Sequence, residues 1–151
     1  MADLTELKSI KLLNYLNDSM LENLLKITDI IEYKAGDYIF KEGNQAKNIY
    51  AVIAGKVGLE MDKSSSTRIL IDNITQGMML GFSALVDTEE KKYTTSARVF
   101  TDTRLFVWKA EALEALFSRN YEMGFLFMKR IAKIVKTRLQ IRNVQFLDIY
   151  K

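Results

Sequence analysis

The sequence predicts a mainly β protein: a β-roll or jelly-roll sandwich, with short helices before it and a long helix after it. Three observations lead there. Residues 4–30 space their apolar side chains by three and four, the period of a helix that buries one face. From Ile31 the texture changes to short apolar runs broken by Gly36, Gly43 and Gly55. Turn signals at that interval mark an antiparallel sandwich or barrel. From Lys109 onward the pattern is helical again, without proline and with the single glycine Gly124.

Taken in order, Leu12, Leu13 and Leu16 form one apolar cluster, and Met20, Leu21, Leu24 and Leu25 a second. Asn17-Asp18-Ser19 between them is a break and a helix N-cap, because a short polar side chain can accept an orphan N–H there. Two short helices are expected. Strands follow through "IIEYKAGDYIFKEGNQAKNIYAVIAGKVGLEM", "TRILIDNI" and "SARVFTDTRLFVW", with "KSSSTR" as a polar hairpin tip. The C-terminal helical region divides near Ser118-Arg119-Asn120, and a helix of four turns or more runs from Tyr121 to about Gln145. The expected organisation is one domain over residues 1–151: N-terminal helices 1–30, β-roll 31–108, C-terminal helices 109–147.

Composition narrows the chemistry. The 151 residues are 48% hydrophobic, enough for a sizeable core. The formal charge of +3 is too small to argue for nucleic acid by itself. There is no cysteine and no histidine, which excludes disulfides, the usual zinc sites, and Ser-His-Asp or Cys-His catalysis. The acids Asp37, Glu42, Asp87, Glu89 and Glu90 are scattered over expected turns, and Asp87 to Lys92 reads as a solvated loop. No catalytic or metal constellation is visible, so no enzyme activity is expected. No apolar run approaches a membrane span, and "MADLTELKSIK" is not a signal peptide. A cytoplasmic protein with no membrane association is expected.

Particular residues go further. "YKAGDYIFKEGNQAKNIYAVIAGKVGLE", residues 33–60, resembles the first half of the cyclic-nucleotide-binding domain family. The resemblance rests on Gly36, Asp37, Ile39, Phe40, Glu42, Gly43, Tyr50, Gly55 and Val57. "ITQGMMLGFSAL" resembles the entry to that family's phosphate-binding cassette. "IAKIVKTRLQIRNVQFLDIYK" is similar to the long central helix of the catabolite-activator branch, Crp/Fnr-type regulators included. The resemblance covers roughly residues 15–151. It implies a sensor with no helix-turn-helix domain in these residues. A stand-alone sensor and the sensor half of a longer regulator are both compatible.

The family binds its cyclic phosphate with backbone N–H groups at a short helix and with an arginine, while a glutamate accepts the ribose hydroxyl. By resemblance the candidate cassette here is Gly81, Phe82, Ser83, Ala84, Leu85, Lys92, Tyr93, Thr94 and Thr95. Phe82 stands at the acid's position and Tyr93 at the arginine's. Lys92 could slip inward and supply a charge. Each lost charge-assisted hydrogen bond removes about 1.5–3 kcal/mol. Loss of both residues therefore implies nucleotide binding weakened roughly 100- to 10,000-fold. Three readings stay open: Phe82 and Tyr93 plug a vacated pocket, another small ligand binds, or a cyclic nucleotide binds in an altered mode.

On the long helix, Met128, Ile131, Ala132, Val135 and Leu139 form a stripe expected to pack on the protein's own barrel. Ile134, Thr137, Ile141 and Val144 follow a 3-4-3 spacing that suggests a parallel partner helix and a homodimer. The resemblance places Thr137 where the catabolite activator contacts the adenine base, with Lys133 one turn earlier. A polar residue in a seam can also serve only to fix register. Lys129, Arg130, Lys133, Lys136, Arg138 and Arg142 read as a solvated basic face; without a DNA-binding module, nucleic acid is not the expected partner. Haem-sensing relatives use histidine or cysteine, so no haem is expected. The expected function is a regulatory binding module that takes a cyclic nucleotide or another small effector. A ligand-free dimeric scaffold is the alternative.

Overall fold

Helix α1 (Leu4–Lys8) starts where the Asp3 carboxylate accepts the Glu6 N–H at 2.8 Å. The computed structural model describes residues 2–86 and 90–150, so Asp87 and Glu89 of the expected solvated loop lie outside the described residues. The Ser9 hydroxyl and N–H both donate to the Glu6 carbonyl and end α1. A 3₁₀ helix, Lys11–Tyr15, then buries Leu12 and Leu13. Asn17 caps α2 (Asp18–Leu25) by accepting the Met20 N–H at 2.9 Å. The cap is where the sequence puts it, but three helical segments form rather than two, because Ser9 breaks the first cluster from the helix ahead of it.

Six antiparallel strands follow: β1 (Asp29–Tyr33), β2 (Tyr38–Phe40), β3 (Asn48–Asp62), β4 (Arg68–Ile74), β5 (Met79–Leu80) and β6 (Ser96–Lys109). The order is β1-β6-β3-β4, with β2 also paired to β6 and β5 to β3. The two long strands carry the roll. Their shared register shifts three times between Val52 and Val57, which bends β3 and lets one strand serve two parts of the sandwich. Gly55 sits in that bend at φ 109°, and a Cβ there would lie 2.7 Å from the Thr103 Cα. Only glycine fits. The expected tip over 63–68 is present, closed by the Lys63 N–H on the Thr67 carbonyl at 2.8 Å.

Trp108, Phe106 and Leu105 of β6 are buried at the centre. The Trp108 indole donates to the Thr28 hydroxyl at 2.6 Å, which satisfies the one polar atom of that side chain and ties β6 to the end of α2. Leu21 and Leu24 of α2 and Leu113 and Leu116 of α3 (Ala110–Arg119) join the same core. Asn120 ends α3 and caps α4 (Tyr121–Ile149), accepting the Met123 N–H at 3.0 Å. The predicted split is there, and α4 continues past Gln145. The roll also begins slightly earlier than Ile31, at Asp29, and ends at Lys109.

The faces of α4 need correction. Its buried stripe is Met123, Phe127 and Ile131, continued by half-buried Ile134 and Arg138. Of the five residues expected against the barrel, Ile131 is buried and Met128 half-buried, while Ala132, Val135 and Leu139 are exposed. Ile134, expected in an intermolecular seam, packs against the chain's own core. Ile141 and Val144 are exposed. The physical reason is that α4 packs chiefly against α3 and the Lys11–Tyr15 3₁₀ helix, so the inward stripe is set where Phe127 meets Phe117, ring centroids 5.1 Å apart.

Candidate cassette cavity

The candidate site is built on the turn after β5. Gly81 has φ 90°, and a Cβ there would stand 3.0 Å from the Asn48 carbonyl oxygen. This left-handed residue redirects the chain into a 3₁₀ turn, Phe82–Ala84. Ala84 is buried beneath the turn and Leu85 packs partly against the core. Gly81, Phe82 and Ser83 face a cavity of about 430 Å³. Thr94, Thr95 and Tyr93 line it from the segment before β6, with Phe40 and Leu59 beneath.

Tyr93 is committed to the core. Its ring stacks on Phe40, centroids 3.8 Å apart and planes at 11°. Its hydroxyl donates to the Asn48 carbonyl at 2.7 Å and accepts the Asn48 N–H at 3.2 Å. Burial pushes its phenol up to about 12. The position that the resemblance gives to an anion-pairing arginine is therefore a neutral, hydrogen-bonded side chain. Lys92 does not turn inward: its ammonium sits 2.9 Å from the Glu90 carboxylate, the side chain is exposed, and it is not on the cavity wall.

The opposite wall comes from α4, through Val135, Arg138 and Arg142. Arg138 Nε lies 3.1 Å from an Asp72 oxygen on β4. Its guanidinium donates to the Met79 carbonyl at 3.4 Å and stands 5.6 Å from the centre of the Phe82 ring. Burial lowers the Arg138 pKa from the usual arginine range, partly opposed by Asp72. So the sandwich retains an open cavity at the cassette, and its cations are on the helix.

The structure divides the other sequence candidates from the cassette. Lys133 and Thr137 line a second cavity of about 360 Å³, together with Ile134, Ile141 and Met78. Thr137 spends its hydroxyl on the Lys133 carbonyl at 3.0 Å, inside its own helix. Asp72 and Arg138 line both cavities and form the partition between them. Val144 lines neither. Sequence reasoning missed Asp72, Val135, Arg138 and Arg142 as site residues. The available signal was the spacing 135, 138, 142, one i, i+3, i+7 face carrying two arginines.

Among the described residues no group of acids suits a metal ion, and no helix is long and apolar enough to cross a membrane. A wider and more open groove of about 560 Å³ lies at Phe117, Tyr121 and Phe125, away from the cassette and almost wholly apolar.

Comparison with known proteins agrees with this geometry. The family model described as "Cyclic nucleotide-binding domain" matches residues 30–120. The chain is 23% identical over 139 residues to neuropathy target esterase sws of Drosophila ananassae, covering 89% of this chain and 9% of that protein. It thus spans under a tenth of that relative's length. Among solved structures, it is similar to a cyclic nucleotide-binding domain from Methylobacillus flagellatus KT, with TM-score 0.81, 16% identity, and coverage of 96% of this chain and 80% of the other. It is also similar to the Thermus thermophilus catabolite activator protein, with TM-score 0.75, 24% identity, and coverage of 92% and 62%. At these identities the structures share the fold.

Proposed function

Because the chain belongs to the cyclic nucleotide-binding domain family, we propose that it is a regulatory sensor whose cassette cavity takes a small ligand and passes its occupancy to α4. One observation carries this reading: a single open cavity is walled by Gly81–Ser83 on one side and by Val135, Arg138 and Arg142 of α4 on the other. A ligand there touches both, so its differential affinity for two helix positions shifts their populations. Nucleotide binding is weakened or altered relative to the family's usual mode. Tyr93 replaces the anion-pairing arginine and is locked to Phe40 and Asn48, and Phe82 replaces the acid. The module acts without catalysis, in the cytoplasm, as a homodimer joined through Ile141 and Val144 of α4.

The test is calorimetric titration of refolded, ligand-stripped protein with cyclic AMP and cyclic GMP. Refolding removes any co-purified ligand. The chain has no native cysteine, so Val144→Cys, in the proposed seam and on neither cavity wall, reports helix movement by cross-linking without background. Weak heat with a ligand-dependent change in cross-linking is expected. No heat at millimolar concentration rejects both nucleotides. The second reading, a ligand-free dimeric scaffold, is favoured by the filled place at Tyr93, and absence of heat with a dimer that cross-links would leave it standing; unchanged cross-linking with a proven ligand would instead overturn the shift of α4. The likeness to the Thermus thermophilus activator also supports a sensor half of a Crp/Fnr-type transcription regulator.

A further inference from the structure

We infer that Arg138 and Arg142 of α4 form an anion-binding pair for the cassette cavity, held in standby by Asp72, and that the ligand is a small organic anion with a planar ring. The inference rests on the cavity reading above and names the chemistry of its occupant.

The family's grip on an anion comes from the cassette, and here that position is neutral. The cavity nevertheless has a cationic wall. Arg138 and Arg142 are four residues apart on one helix, so their side chains lie one turn apart on the same face. Both line the cavity. Arg138 is only 26% exposed at its side chain, and it meets a single carboxylate, Asp72, through Nε at 3.1 Å. A guanidinium has a planar fork of five donors, so an incoming anion can first meet the free edge of Arg138 and then take the Nε donor from Asp72. The Arg138 guanidinium carbon also lies 5.6 Å from the centre of the Phe82 ring. A ring entering between Phe82 and the helix gains stacking, and an anionic group on it reaches Arg138 and Arg142. Ser83, Thr94 and Thr95 supply hydroxyls to the same space but no positive charge.

Asp72 gives the arrangement its regulatory character. It ties α4 to β4 through Arg138, and it competes for that guanidinium with any incoming anion. Binding exchanges the Asp72 contact for a ligand contact, which loosens α4 from β4 at the partition between the two cavities. Sensing and release are then the same event.

The test uses cyclic AMP as the planar anion, adenosine as its neutral counterpart and inorganic pyrophosphate as a ringless anion, titrated calorimetrically into the whole chain. Cyclic AMP is expected to bind more tightly than either control. Asp72→Asn should tighten cyclic AMP about 3- to 10-fold by removing the competing carboxylate. Arg138→Gln should weaken it about 10- to 100-fold, with Arg138→Lys between. Arg142→Gln changes an exposed side chain, so it folds even if Arg138→Gln does not, and it should weaken binding several-fold. Equal cyclic AMP affinity in the wild type and the arginine variants would overturn the anion pair while leaving the cavity reading intact. Adenosine binding as well as cyclic AMP would do the same. Failure of Asp72→Asn to bind cyclic AMP or pyrophosphate at millimolar concentration also overturns the inference. The cavity reading is judged separately, by adenosine binding and by the Val144→Cys cross-link.

Discussion

Arg138 and Asp72 meet at 3.1 Å across 66 residues of chain, and this contact separates the cassette cavity from its neighbour. Both side chains are partly exposed, 26% and 33%, so solvent screens the pair. Asp72→Asn, Arg138→Gln and the double variant, compared by urea unfolding, should give a coupling energy of about 0.5–1 kcal/mol. A coupling indistinguishable from zero would show that the pair does not hold α4 to β4.

Tyr93 should behave as a core residue. Tyr93→Phe loses the two hydrogen bonds to Asn48 and should cost about 1 kcal/mol. Tyr93→Arg, which restores the family's residue type, should cost about 3 kcal/mol or more. It removes the stack on Phe40 and buries a charge without a partner. It should not improve cyclic AMP binding, and an improvement measured calorimetrically would show that the position still addresses the cavity.

The same residue sets an alkaline limit. Its folded pKa is raised from 10.0 to about 12, so its neutral form contributes stability that is complete below pH 10. That contribution falls as pH rises from there toward about 12. Subtracting the Tyr93→Phe stability profile from the wild-type profile isolates it from the other tyrosines. A flat difference over this window contradicts the assignment.

Glu60 and Arg98 form a two-point contact between β3 and β6, at 2.9 and 3.1 Å, with Glu60 buried. The Arg98 hydrogen bonds hold the Glu60 carboxyl below its ordinary 4.5. A depressed carboxylate stabilises above its unfolded value and stops doing so as pH falls through its folded value. Glu60→Gln should therefore cost about 1–3 kcal/mol at neutral pH. The gap should begin to close below pH 4.5 and vanish below the depressed value. A gap that persists in strong acid assigns the effect to packing instead.

Ile141 and Val144 are 55% and 60% exposed, so neither supports the fold of a single chain. Ile141→Glu with Val144→Glu should leave the unfolding midpoint of the monomer nearly unchanged, within about 0.5 kcal/mol. In sedimentation velocity it should convert dimer to monomer. A wild-type monomer, or a dimer indifferent to both charges, removes α4 as the dimer seam.

Much of the fold was legible before any coordinates. Glycines at corners, the cap at Asn17, the break at Asn120 and alternating strands act over a few residues, and each has a local physical cause. Gly81 and the turn after it were legible only through the resemblance to the family's cassette. Ser9 as a terminator is not legible in the sequence, because its two hydrogen bonds to the Glu6 carbonyl interrupt an otherwise continuous apolar pattern. Lys92 was drawn toward the cavity by its place in the chain, whereas a neighbouring carboxylate at Glu90 takes its charge.

The sequence by itself determined the fold class and the break that starts the long helix, while the place of the cassette and the readings of Phe82 and Tyr93 rest on the family resemblance. Only the tertiary structure decided which face of that helix meets the roll. Beyond Ile131 the apolar residues offer two competing stripes, one through Val135 and Leu139 and one through Ile134, Ile141 and Val144, and periodicity does not choose between them. Packing of Phe127 on Phe117 and the reach of Asp72 from a distant strand select one. That choice turned Arg138 from a solvated cation into the wall of a cavity, because a long side chain can bring its charge over Phe82 to a site that no local pattern marks.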